Sequence, residues 1–197
     1  MAETVCILLR LTPYRENTLI AATLSPDFGR LDLFLPGAKK TGKKKFPAAG
    51  LFRELTVDFK EPREGATLST PRSVELFQSH DRLADHPQAY MSCCSLAAFL
   101  LRNSRNMVGL PLTYRALSVL LKRAEETEEH TGLYCAYVKL VFLHENGFVS
   151  VPEERQKVLD QIFSFALGAT GEPPPFTRSY TGKLVQWIDA LAAAHFW

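Results

Sequence analysis

The sequence predicts an α+β protein whose strands and helices are segregated, with strands first and helices after. Three observations carry that reading. Up to about residue 77, apolar and polar side chains alternate with a period of two, as where Leu31, Leu33 and Leu35 flank Asp32 and Phe34. From about residue 79 the apolar period lengthens to 3.6. Glycine and proline fall between the periodic runs more often than inside them. The expected division is a strand-built domain over 1–78 and an all-α domain over 79–197.

The strands justify themselves in order. Val5–Leu11 and Thr18–Leu24 are rich in apolar and β-favouring residues and end at turn chemistry, Thr12-Pro13 and Ser25-Pro26-Asp27. The Leu31–Leu35 alternation gives a third strand with one buried face. Leu55, Val57 and Phe59 repeat it, with Thr56, Asp58 and Lys60 opposite. A fifth run opens at Gly65 and extends from Ala66 towards Phe77, and Pro71 within it predicts an edge or a bulge. Five short strands without a helical period predict a small barrel or a highly curved sheet, and a five-stranded β-barrel of OB type is one of the few such folds at this size. Between the third and fourth strands lies a lysine- and glycine-rich stretch, residues 37–50, expected to be a loop.

Helices follow. Pro87 suits the first turn of a helix to about Leu101, with Tyr90, Cys94, Ala97, Ala98 and Leu101 inward. Pro111 opens a second to about Glu126, burying Leu117, Leu120, Leu121 and Ala124. Thr131 is the expected N-cap of a third, which turns Tyr134, Tyr137, Val138, Val141 and Phe142 to the core and stops at Asn146-Gly147. A fourth follows Pro152, with Val158, Leu159, Ile162 and Phe163 as its stripe. After the Gly171–Pro175 turn, a last helix around Ser179–Ala194 carries Leu184, Trp187, Ile188 and Leu191.

Composition excludes several classes. With 46% hydrophobic and 22% charged residues among 197, the chain is neither disordered nor collagen-like. Cys6, Cys93, Cys94 and Cys135 form no CxxC pair, which predicts neither a disulfide framework nor a zinc knuckle and fits a reducing, cytoplasmic compartment. The opening residues lack the basic start and long apolar core of an export signal. No apolar run approaches the ~18 residues that span a bilayer. The net charge of +2 is uninformative, but its distribution is not. From Arg10 to Lys45 there are eight Lys or Arg (10, 15, 30, 39, 40, 43, 44, 45) against three acids, Glu16, Asp27 and Asp32.

These residues resemble a known family. Arg10, Tyr14, Glu16, then Phe28-Gly29-Arg30, then Pro36-Gly37-Ala38-Lys39-Lys40 resemble the opening of the bacterial RecO recombinational repair proteins, which share an Arg, a Tyr-x-Glu turn, a Gly-Arg hairpin and a basic Gly-Ala loop. Leu55–Phe59 resembles the family's next strand, and Leu143–Phe148 its Leu-x-x-x-Gly-Tyr helix ending. The likeness covers roughly residues 3–152. One departure is plain: where many members carry a four-cysteine zinc ribbon, residues 147–155 hold neither cysteine nor histidine. Zinc does not carry over, and no cofactor is expected.

The resemblance implies non-specific binding of single-stranded DNA, strand annealing, and loading of a recombinase onto DNA coated by single-stranded-DNA-binding protein (SSB), in a bacterial cytoplasm and at the nucleoid. A single strand asks for cations along its phosphates and flat rings for its bases. Arg10, Arg15, Arg30, Lys39, Lys40, Lys43, Lys44 and Lys45 are the candidate cations. Tyr14 is a candidate ring, equally readable as a packed turn residue, with Phe46 another; Phe34 reads as structural. Charge alone leaves the lysine loop open between phosphate contact and plain solvation. The family's helical domain meets the C-terminal tail of SSB, and its N-terminal domain meets RecR. Leu112, Tyr114, Arg115, Lys122 and Arg123 are the candidate partner-binding residues, although an ordinary amphipathic surface explains them as well.

No catalytic constellation is visible: no phosphate-cradling glycine loop and no Gly-x-Ser-x-Gly. His80 and His86 flank Asp81 and Asp85, but no further ligand stands at metal spacing, and a polar linker is the simpler reading. The expectation is therefore a protein that is not an enzyme. The alternatives are an interaction adaptor whose barrel never touches nucleic acid and a barrel that binds structured RNA.

Overall fold

The computed structural model describes residues 2–38, 49–60 and 68–195. The expected α+β organisation is present: among the described residues six strands precede five helices. The strands are β1 (Ala2–Tyr14), β2 (Thr18–Ser25), β3 (Gly29–Pro36), β4 (Glu54–Phe59), β5 (Leu68–Ser69) and β6 (Pro71–Gln78). They form one mixed sheet in the order β5-β3-β2-β1-β4-β6, in which the β3–β5 pairing is parallel.

The sheet departs from the expected five-stranded OB-type barrel in strand number and in closure. Pro71 has no N–H to give to a ladder, and the last run splits there into β5 and β6. The β4–β6 register shifts where Pro71 faces Phe59. Among the described residues no ladder joins β6 to β3 or β5, so the sheet is not closed. It is nonetheless curled, because β3 and β6 come within 8 Å between Cα atoms. Its concave side buries Cys6, Leu8, Leu31, Leu33, Leu35, Leu55, Val57 and Phe59. Each aliphatic side chain so removed from water contributes about 1.5–3 kcal/mol.

The helices are α1 (Pro87–Asn103), α2 (Pro111–Ala124), α3 (Thr131–Glu145), α4 (Glu153–Ala166) and α5 (Arg178–His195), with a 3₁₀ turn at Asp81–Asp85 before them. Pro87 and Pro111 open α1 and α2 as expected, and α3 stops at Asn146-Gly147, where Gly147 has φ +78°. Two expectations fail. Thr131 is the first residue of α3 and is buried; the cap is His130, in a left-handed conformation and without a side-chain cap bond. In α1 the buried residues are Ala89, Cys93, Leu96, Ala97, Leu100 and Leu101; Ala97 and Leu101 face inward as expected, but Tyr90 and Cys94 are only half-buried and Ala98 is exposed. The helix is apolar on several sides, so its period does not fix its phase, and the bulky leucines take the interior.

Two compact units result: Met1–Asp81 with Ala97–Tyr114, and Arg82–Leu96 with Arg115–Trp197. In the second, α3 is the central helix. It packs on α4 and α5 and buries Cys135 through Val138 and Leu140 through Leu143, the mark of a helix apolar nearly all round. No described helix is long and apolar enough to cross a membrane.

Candidate nucleic-acid interface

The convex face of β1–β3 is set by one irregularity. Cys6 and Leu8 point into the core, and strict alternation would send Arg10 there too. The register instead shifts between Leu8 and Arg10, so that Leu8 pairs with Thr23 but Arg10 pairs with Ala22. This bulge reverses the phase of β1. Leu11 turns to the core side opposite Ala21, and Arg10, Thr12 and Tyr14 turn outward. Across the sheet they continue into Ala22, Ile20 and Thr18, then Asp32, Phe34 and Pro36.

At the Tyr14 end these side chains meet. The Tyr14 and Phe34 rings lie edge to face, with centroids 5.9 Å apart and planes at 72°. The Arg15 guanidinium stands 5.3 Å from the centre of the Tyr14 ring. Arg15 holds φ +54° at the β1–β2 turn, an uncommon conformation for a residue with a side chain. Tyr14 stays 40% exposed. Phe34, read from sequence as structural, is half-buried and packs its ring against the exposed Tyr14; the signal for that was its place on the polar phase of its own strand.

The other expected cations divide. Arg30 is already committed: Nε and Nη2 form a fork with the two Asp32 carboxylate oxygens at 3.1 and 2.8 Å, and Nη1 donates to the Leu101 carbonyl at 2.8 Å. Its work is to neutralise Asp32 and to anchor the chain at Leu101. Lys39, Lys40, Lys43, Lys44 and Lys45, with Phe46, lie outside the described residues.

The expected partner-binding residues each have a place within their own unit. Leu112 is exposed, and Tyr114 donates from its hydroxyl to Glu54 Oε2 at 2.7 Å. Arg115 Nε donates to the Leu167 carbonyl at 2.8 Å. Arg123 donates to the carbonyls of Phe165 at 3.0 Å and Thr170 at 2.9 Å, with its guanidinium 3.7 Å over the Phe165 ring. The two arginines donate to carbonyls at and just beyond the C-terminal end of α4, where positive charge is favoured. Lys122 is exposed.

Sequence reasoning missed two features. One is a cavity of about 240 Å³ in the second unit, where Val158 and Ile162 of α4 and Tyr180 and Trp187 of α5 supply apolar wall and Arg155 and Lys183 supply charge. The spacings Arg155–Val158 and Lys183–Trp187 signal it, since each sets a cation one helical turn from an apolar side chain. The other is a buried polar cluster. Glu54 is 2% exposed, with Oε1 3.1 Å from His80 Nε2, and His80 is itself buried. Burial, reinforced by Glu54, raises the Tyr114 hydroxyl pKa. Burial also pushes the Cys6 thiol up to about 12 against a hydrogen bond from Thr23. His80 is therefore no linker residue, whereas Asp81 beside it forms an exposed fork with Arg53.

Comparison with known proteins follows this geometry. The family model for the recombination protein O N terminal matches residues 1–80, which span the whole sheet. The chain is thus similar to the RecO family, over its N-terminal 80 residues by the family model. It is also 26% identical over 187 residues to the DNA repair protein RecO of Cupriavidus pinatubonensis, which covers 91% of this chain. The chain spans 62% of that RecO protein's length.

Proposed function

We propose that this RecO-like chain is a non-catalytic DNA repair and recombination protein that binds single-stranded DNA without sequence specificity. In this reading it promotes annealing and helps load a recombinase onto SSB-coated DNA, in the cytoplasm at the nucleoid. Residues 1–78 act as an OB-type nucleic-acid-binding domain and 79–197 as a helical partner-binding domain. The carrying observation is the convergence of Arg10, Tyr14, Arg15 and Phe34 on the convex face of β1–β3. A ring half open to solvent beside cations offers a base a stacking surface and its phosphate a counter-charge, with no group set to read base edges. In sequence, Lys39 follows three residues after Pro36, which pairs with Thr18 in the Tyr14 row.

Anisotropy titration of labelled oligo-dT at several salt concentrations tests this. Stacking on one aromatic is worth about 1–3 kcal/mol, so Tyr14→Ala should weaken binding about fivefold or more. Arg10→Ala should lower the log–log salt slope by about 0.7, the value of one phosphate contact on a single strand. Reversing Lys43, Lys44 and Lys45 together should cost more than either. Wild-type binding indifferent to salt and to all three changes would leave an adaptor barrel that does not touch nucleic acid.

The partner reading moves to the second unit's cavity. An acidic peptide with an apolar end, such as the SSB tail, finds an apolar wall at Trp187 and Val158 and cations at Lys183 and Arg155. Lys183→Glu should abolish the Trp187 fluorescence change caused by such a peptide; an undiminished change would remove the site. RecR is the proposed partner of the N-terminal domain.

A further inference from the structure

We propose that the single-strand path does not end on the sheet but leaves it at the start of β3 and continues over residues 102–108, with Arg105 as a phosphate contact and Met107 and Val108 as an apolar platform. The proposal rests on the single-strand reading of the Tyr14 face.

The segment is fastened to the sheet by its backbone. The Arg30 N–H donates to the Arg105 carbonyl at 3.2 Å, and Asn106 forms bridges with Gly29 and Arg30. The Leu110 N–H donates to the Pro26 carbonyl at 2.9 Å. The fit is tight at Gly29, where a Cβ would stand 2.0 Å from the Val108 carbonyl oxygen. A loop held by this many main-chain contacts has little conformational freedom left to lose on binding.

Held in this way, it shows solvent what a soluble surface loop ordinarily hides. Met107 is 40% exposed and Val108 49%. Met107 also adopts φ +61°, a region methionine rarely enters. Arg102 and Arg105 are exposed, and the sequence holds no acid between Asp85 and Glu125. Cations interleaved with exposed apolar surface fit a phosphate backbone with its bases, and apolar side chains are known to pack against base faces.

Continuity supplies the rest. Phe34 and Gly29 lie five residues apart on β3, so the aromatic end and the loop are about 17 Å apart at ~3.3 Å per residue. Arg10 pairs at the row between them. The one acid among the outward positions of β3, Asp32, is held by Arg30, which removes a charge that would repel a phosphate on this line.

The test compares oligo lengths. Arg105→Glu leaves the carbonyl that receives the Arg30 bond, and Met107→Asn keeps a residue that tolerates a positive φ, so the double variant should melt within a few degrees of wild type. It is expected to weaken dT20 binding about tenfold or more, with a salt slope lower by about 0.7 or more, and to leave dT5 binding within about twofold. Tyr14→Ala is expected to weaken both lengths. A double variant that binds dT20 like wild type, while Tyr14→Ala does not, overturns the extension and leaves the sheet site standing. Loss in the double variant with none in Tyr14→Ala overturns the sheet site instead. A wild-type chain that binds neither length overturns both.

Discussion

Gly29→Ala is expected to destabilise the N-terminal unit by roughly 3–5 kcal/mol. The sum has three parts. At φ +59° a left-handed alanine costs about 1–2 kcal/mol that glycine does not. Its Cβ would stand 2.0 Å from the Val108 carbonyl oxygen and 3.0 Å from that of Arg105, both main-chain atoms that yield only if the loop shifts. Moving the loop strains the Arg30–Arg105 and Leu110–Pro26 hydrogen bonds, each worth about 1 kcal/mol. For a chain of this size that corresponds to a fall in melting temperature of about 10 °C by circular dichroism. Gly132→Ala is the control. Nothing stands within 4 Å of its new Cβ, and in α3 the change should be neutral or slightly stabilising. A Gly29→Ala protein that melts with wild type would mean that residues 104–110 are not docked on β3.

The second large effect concerns Glu54. Removing His80 leaves the buried Glu54 carboxyl group without the partner 3.1 Å away, and breaking a buried polar pair on one side costs about 3–5 kcal/mol. His80→Leu should therefore cost about that much, although leucine suits the apolar surroundings. Tyr114→Phe removes only a hydroxyl hydrogen bond to a carboxylate and should cost less, about 1.5–3 kcal/mol. The double replacement Glu54→Leu with His80→Leu should recover part of the single loss, because both polar groups then leave the interior together. The exposed Arg53–Asp81 fork is the contrast. Its hydrogen bond and charge hold the Asp81 pKa down, yet Arg53→Met should cost within about 1 kcal/mol, since water screens the pair. Chemical denaturation of the four variants checks the series. A His80→Leu protein as stable as wild type would mean that Glu54 needs no partner there.

What the sequence disclosed and what it hid follow from the range of the interactions. Strand positions, the irregularity at Pro71 and the helix starts at Pro87 and Pro111 were legible because local chemistry dictates them, although the division of the last run into two strands was not. Whether the curved sheet closes into a barrel was not set by the same signals, since closure depends on a ladder between β6 and β3, which lie far apart along the chain. Arg115 and Arg123 looked like surface cations because nothing near them in sequence announces the α4 carbonyls they serve. His80 looked like linker for the same reason: its partner Glu54 lies 26 residues away. Of the expected DNA-contacting residues, Arg10, Tyr14 and Arg15 gather at one face, while Arg30 is spent on Asp32 and Leu101. Phe34 joined the face because parity, which the residues of β3 display openly, put it there.

The extra residue in β1 has a consequence for anyone reshaping this surface. Counted from the N-terminus, even positions of β1 belong to the interior up to Leu8 and to the exterior from Arg10 onward. A binding motif transplanted onto this strand from an unbulged sheet would present half its side chains to solvent and drive the other half into the core. Numbering for such a graft must restart at Arg10, and the strand is best treated as two short rulers laid end to end with their scales offset by one.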